Sequence, residues 1–140
     1  MKSAALALTG IAGSMAANAL GGWDAAMQTL VAFMAMDFAT GLMAAGIFKK
    51  SKGTGSGGLS SRKGFKGLAR KSVQLLFVII GHRLDATLGT DFVRTAVIIA
   101  YTANETISIA ENAGLMGMPL PLPIKKAIDV LNEKGGGKTA

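Results

Sequence analysis

The hydrophobic pattern cuts the chain into four long apolar stretches and one short one-sided segment, joined by glycine-rich or charged breaks. Residues 3–20 (SAALALTGIAGSMAANAL) are uncharged and rich in small side chains. They read as a first membrane helix near the lower end of the roughly 17–25 residues that a span requires. They also imitate a secretory leader, with Lys2 ahead of the run and Ala17-Asn18-Ala19 as a cleavage-like site. The breaks that follow favour the uncleaved helix only when joined to the wider pattern described below. Gly21-Gly22-Trp23-Asp24 predict a tight turn, with Trp23 suited to a membrane interface and Asp24 placed to N-cap the next helix. Residues 25–48 form the second stretch. Its one charge is Asp37, and Asp37, Thr40, Gly41 and Ala44 fall on one small polar face that should pack on another helix. Gly41 and Ala45 add a small-xxx-small pair. Residues 72–89 form the third stretch, with Gln74, Val78, Gly81 and Asp85 on a common face and Arg83 able to snorkel to an interface. His82 beside it reads as a hydrogen-bonded or interfacial histidine rather than a pH sensor. Gly89-Thr90-Asp91 then turn the chain into the fourth stretch.

That fourth stretch, residues 92–113, carries the most information. Arg94, Tyr101, Glu105, Ser108 and Asn112 recur at helical spacing, with Asn104 and Glu111 beside them. At 3.6 residues per turn they make one polar stripe about 120° wide on an otherwise apolar helix. Such a stripe cannot face lipid. It must face other helices or water, and ionisable groups inside a membrane are functional candidates by default. The reading from this stretch alone leaves open a soluble amphipathic helix in a small bundle.

Composition settles between the two. Half of the 140 residues are apolar and 16% are charged, against about 25% in soluble domains; the mean hydropathy is +0.42. So few charges cannot cover a water-facing surface, and 19 glycines suit close helix packing in lipid. The expectation is a single all-α integral membrane domain over residues 1–140. It has four spans at about 3–20, 25–48, 72–89 and 92–113, or three if the first is removed.

The net charge of +7 is concentrated between and after the apolar stretches. Residues 49–71 hold eight cations and no acid, among them Lys49, Lys50, Arg62, Lys63, Lys66, Arg70 and Lys71. The Gly/Ser-rich part from Lys52 to Ser61 predicts a flexible loop. By the positive-inside rule this segment is cytoplasmic, and it is suited to anionic lipid headgroups. Phe65 is its one aromatic residue, which speaks against nucleic acid as a partner. Gly53, Gly55 and Gly58 match a dinucleotide-binding spacing without the βαβ unit that gives it meaning. After residue 113, Pro119, Pro121 and Pro123 predict an extended linker. Residues 124–133 predict a short amphipathic helix with Ile124, Ala127, Ile128 and Leu131 on one side, lying on the membrane or on a second subunit. The tail KGGGKTA resembles the end of a phosphate-binding loop, but Asn132 stands where its first glycine belongs. Cytoplasmic placement of both the basic segment and residues 114–140 leaves two spans between them, which is self-consistent.

Chemistry is sparse. There is no cysteine, and His82 is the one histidine, so thiolate and multi-histidine metal sites are excluded within one chain. No nucleophile–base pair appears. No enzyme activity and no cofactor are expected.

Taken in order, the motifs resemble a phage holin family, the small multi-span proteins of the toxin-secretion or phage-lysis type. The resemblance runs from about Gly21 to Leu131. It rests on Asp37-x-x-Thr40-Gly41, Leu59-Ser60-Ser61 leading to Gly64-Phe65-Lys66-Gly67-Leu68 and Lys71, then Asp85 and Arg94-Thr95-Ala96-Val97. It continues through Tyr101-x-x-Asn104-Glu105-x-x-Ser108-Ile109-x-Glu111-Asn112 and Gly117-x-Pro119-x-Pro121. The glycine-rich stretch Lys52 to Gly58 looks longer than the family's loop. The resemblance implies a protein that gathers in the bacterial cytoplasmic membrane, forms homo-oligomers and opens lesions at a set time. An endolysin or a toxin then crosses, without direct binding. It also supports keeping residues 3–20 as a helix. In the four-span arrangement Asp37 and Glu105 lie roughly 18–20 Å from the outer face at 1.5 Å per residue, so they should share a polar seam. A carboxyl group there should be protonated while the seam is dry. The stripe residues would line a pore or an oligomer interface, while Asp37, Thr40, Gly41 and Asp85 would pack helices. Alternatives are an antiholin or membrane adaptor, and a small ion or proton transporter.

Overall fold

The computed structural model describes residues 1–50 and 58–134. These residues form five helices and no strand: α1 (Lys2–Ala19), α2 (Ala25–Gly46), α3 (Ser61–Leu88), α4 (Val93–Leu115) and α5 (Leu122–Lys134). Residues 52–57 of the glycine-rich segment, with Gly53 and Gly55, lie outside the described residues, as do residues 135–140 of the tail.

Local signals account for most boundaries. Asp24 caps α2, its Oδ1 accepting from the Met27 amide at 2.9 Å. The α1–α2 turn needs φ of +81° at Gly21 and +111° at Gly22, which glycine adopts without a Cβ penalty. Gly89, at φ +68°, ends α3 in the left-handed conformation common at helix C-termini.

Two segments depart from the sequence reading. The basic segment is not a loop throughout, because α3 begins at Ser61 and carries Arg62, Lys63, Lys66, Arg70 and Lys71 on its first three turns. Gly64 and Gly67 cost helix stability of about 1 kcal/mol each, which is why the sequence reads as a loop. The Lys71 contacts described below tie the end of this stretch to α2 and α4. The proline linker is also shorter than expected. Pro121 accepts from the amides of Ile124 and Lys125 (3.0 and 3.2 Å), and Pro123 falls within the first turn of α5, where a missing N–H is harmless.

Helix α4 is the hub, lying against α2, α3 and α5. A small apolar core of Met27, Leu30, Met34, Val78 and Ile98 joins the three central helices, flanked by Leu75, Val97 and Tyr101. At Gly81 the backbones of α3 and α4 nearly touch. A Cβ there would stand 3.0 Å from Arg94 Cα. Helix α1 lies apart, exposed from Met1 to Ala16.

The polarity of the bundle is inverted. Gln74, Asp85, Arg94, Thr102, Glu105 and Asn112 are buried, while Leu6, Ile11, Leu76, Phe77, Ile80 and Leu84 are exposed. Buried polar groups together with exposed large apolar ones are the informative exceptions to ordinary protein surfaces. By length and composition α2 alone, among the described residues, is apolar enough to cross a membrane. The other expected spans fall short because α1 contains Lys2 and Asn18, α3 contains the cationic turns and His82-Arg83-x-Asp85, and α4 contains the stripe.

Candidate functional site: two polar layers inside the bundle

Two clusters of polar side chains lie inside the bundle, with the apolar core between them. The first joins all three central helices through one ammonium group. Lys71 Nζ on α3 donates to Asp37 Oδ2 on α2 at 2.7 Å and forms a second ion pair with Glu105 Oε2 on α4. These side chains are 13%, 16% and 5% exposed, respectively. Asn112, two turns along α4 from Glu105, donates from Nδ2 to Asp37 Oδ1 (3.1 Å), to the Asp37 carbonyl (3.2 Å) and to Thr40 Oγ1 (3.0 Å). A Cβ at Gly41 would stand 3.6 Å from the same nitrogen, so the small face of α2 lets Asn112 in. One positive charge thus answers two carboxylates. The sequence reading put Asp37 and Glu105 in one seam without Lys71. The structure supplies a counter-charge from the very segment read as cytoplasmic loop.

The second layer sits at the other end of the core. Arg94 spreads its guanidinium over the α1–α2 turn. Nε donates to the Leu20 carbonyl (2.6 Å), Nη2 to the Gly22 carbonyl (3.1 Å), and Nη1 to Asp24 Oδ2 (2.7 Å). Gly21 makes room, since a Cβ there would lie 2.7 Å from both Arg94 Nε and His82 Nδ1. The Arg94 hydrogen bond, with that from the Met27 amide, holds the Asp24 carboxyl below its ordinary value near 3.8. Among the described residues no cation pairs with Asp85. It accepts from Thr90 Oγ1 (2.6 Å) and from the amides of Val93 and Arg94 (3.0 and 2.9 Å), so it caps α4 from a neighbouring helix. The α4 N-terminus supplies the positive end of its dipole to that carboxylate.

The predicted stripe therefore divides. Arg94, Glu105 and Asn112 are buried in the two layers, Tyr101 and Ser108 are half-buried, and Asn104 and Glu111 are exposed. Asp37, Thr40 and Gly41 join the stripe residues in the first layer, whereas Asp85 acts as a cap in the second. Lys49, Lys50, Arg62, Lys63, Lys66 and Arg70 are exposed around the end of the bundle nearer the first layer. Sequence reasoning missed Lys71 as an interior residue. The signal was present: the buried face Gln74, Val78, Gly81 and Asp85, continued one turn backward, passes through position 71.

A model of the Bacteriophage holin family matches residues 14–133. The chain belongs to the bacteriophage holin family. Relatives of this holin-family chain include an uncharacterised protein of Listeria monocytogenes, 42% identical over 114 residues, covering 81% of this chain and 76% of that protein. An uncharacterised 14.9 kDa protein of Clostridium perfringens is 35% identical, covering 81% and 82%. A protein of Bacillus phage phi105 named "Probable holin" is 31% identical over 105 residues, covering 74% and 72%. No solved structure matches. Membership gives the chain a holin role and a membrane location, and the family is not an enzyme family.

Proposed function

We propose that this chain is a holin that crosses the bacterial cytoplasmic membrane several times through α1 to α4. It accumulates there, assembles into oligomers and opens lesions through which an endolysin, or a toxin, leaves the cell. The observation that carries this reading is the inverted polarity of the bundle. The charges at its centre, Lys71, Asp37, Glu105 and Arg94, are turned inward and paired, and α1, α2 and the second half of α3 present apolar faces outward. In lipid, that arrangement pairs the central charges internally and leaves hydrocarbon to meet hydrocarbon. The start of α1, the cationic turns of α3 and α5 then lie on the cytoplasmic side.

Asn104 supports assembly. It is exposed on α4 next to Glu105, which puts an amide near the middle of the bilayer with no water to solvate it. A second copy is the nearest source of a partner. In this reading the closed protomer stores the stripe's charges against α2 and α3, and association lets the α4 faces of several subunits converge and hydrate. Lesions then open after a delay and abruptly, because wetting needs many subunits together.

The test is controlled expression in a bacterium with a co-expressed cytoplasmic endolysin, following membrane potential and endolysin escape together. Delayed, sudden depolarisation with escape is the expected result. Glu105→Leu leaves Lys71 and Asp37 as a balanced pair, so the protein should still reach the membrane while lysis is blocked or badly mistimed. Normal timing at normal membrane levels in that variant would remove Glu105 from the opening step. Depolarisation without escape would indicate a small channel, and no depolarisation at all would favour an antiholin.

A further inference from the structure

We infer that the cleft between the cytoplasmic end of α2, the first turns of α3 and the end of α4 binds the phosphate headgroup of one anionic phospholipid. This rests on the membrane reading above and assigns that reading a specific lipid site. The cleft holds about 370 Å³, within the range of roughly 300–1,000 Å³ found for small-ligand sites. It exists because α2 and α3 touch little, being tied mainly through α4 and through Lys71.

The two sides of the cleft differ in chemistry. One side, from α3, presents Lys63 and Arg70 above Lys71. Lys71 is committed to Asp37 and Glu105 and so forms a closed floor. Lys63 and Glu111, which also line the cleft, have partners in the folded chain. Arg70 makes no ion pair among the described residues, and it is the cation the site offers. The opposite side, from α2, is apolar at Phe38, Leu42 and Ala45, with Asp37 held at the floor by Lys71, while α4 adds Ser108 and Asn112. Between them run Gly64 and Gly67, where an added Cβ would meet nothing within 4 Å. Bare backbone there leaves room beside the cation.

Depth selects the ligand. A Cβ at Gly46 would stand 3.1 Å from Leu59 Cδ1, and nine residues further into the membrane Asp37 meets Lys71. The cleft therefore occupies about the last 13 Å of α2, from the headgroup level inward. Arg70 stands beside Lys71 at the inner end of that stretch, and a side chain there leans toward the N-terminal, headgroup end of α3, so a cation beside an apolar wall suits an amphiphile with a negative head better than a soluble anion. The exposed cations Lys49, Lys50, Arg62 and Lys66 around the same end add a field of the right sign.

The experiment uses the full chain in a zwitterionic detergent, titrated with short-chain phosphatidylglycerol, phosphatidylcholine or inorganic phosphate, with bound mass read by native mass spectrometry. One phosphatidylglycerol per chain is expected, bound at least tenfold more tightly than phosphatidylcholine. Arg70→Gln should weaken it about fivefold, the effect of one surface cation. Gly67→Leu should abolish it by filling the cleft while leaving every charge in place. Gly67→Ala serves as a milder filler, and helix content by circular dichroism verifies that each variant is folded. Equal binding of the two lipids, or unchanged phosphatidylglycerol binding in folded Gly67→Leu, would overturn the assignment. Displacement of the lipid by millimolar phosphate would assign the cleft to a soluble anion and overturn it as well. Loss of lesions in cells with intact lipid binding would instead count against the function and leave the site standing.

Discussion

The two polar layers solve the same problem by opposite means. Around Arg94 the interior charge is matched locally. A planar fork with several donors meets one carboxylate and two turn carbonyls, and Asp85 is satisfied by backbone amides at the start of α4. Around Lys71 a compact ammonium group stands between two carboxylates on two other helices. The Arg94 layer is built from parts that each have a second source of support, including water, since Asp24 is 50% exposed. The Lys71 layer has one cation on which three helices depend. The first arrangement fixes a turn and the second is suited to change. Removing that cation unbalances the whole layer, whereas removing one carboxylate leaves the other paired with it.

The largest expected effect follows directly. Lys71→Met leaves Asp37 and Glu105 facing each other without a counter-charge, and removing one partner of a buried ion pair costs about 3–5 kcal/mol. The variant should fail to accumulate as folded protein, measured as detergent-resistant protein in membranes and by thermal unfolding. Adding Asp37→Asn and Glu105→Gln to it should recover much of the loss, because no buried charge then remains. If Lys71→Met alone were as stable as the unaltered chain, the contrast between the layers would collapse.

Arg94→Leu tests the other side and should cost less. It removes the tie to Leu20, Gly22 and Asp24, with hydrogen bonds to charged groups contributing about 1.5–3 kcal/mol each in favourable cases. Water at the interface can take over the carbonyls, so the net loss should be nearer 2 kcal/mol. The distinctive readout is local. Helix α1 has little else to hold it to the body, so protease access to the turn at residues 20–24 should rise while α2 to α4 stay protected. Uniform loss of protection throughout would make Arg94 a general core residue rather than a clamp on α1.

Much of the architecture was legible because its signals are local. Asp24 followed by an apolar run, the Gly21-Gly22 pair and Gly89 each announce a backbone conformation, and the stripe on α4 announces an interior. The start of α3 was not legible. Its glycines and like charges argue for a loop at every local level, and the contact that holds it in helix reaches 34 positions along the chain to Asp37 and 34 the other way to Glu105. That information lies in three helices at once and in no one stretch. Asp85 is similar: its residue type is obvious, but its role as a cap for the next helix depends on how α3 meets α4 at Gly81.

The smallest effect sharpens the comparison by pH. Arg94 holds the folded Asp24 carboxyl below its unfolded value near 3.8. Its contribution to stability is therefore fully present above that value and is lost as pH falls through the lower, folded value. Because the side chain is half-exposed, screening keeps the contribution small. Trp23, the one tryptophan and the immediate neighbour of Asp24, provides the probe. Its fluorescence should change on acidification below about pH 4. Asp24→Asn keeps a capping oxygen for the Met27 amide but removes the titrating group, so it should flatten that step. An identical step in the variant would mean that Trp23 is responding to a group other than Asp24. A step of the same size spreading into the α2–α4 core would mean that the Arg94 layer is coupled to the Lys71 layer, and the two would have to be treated as one device.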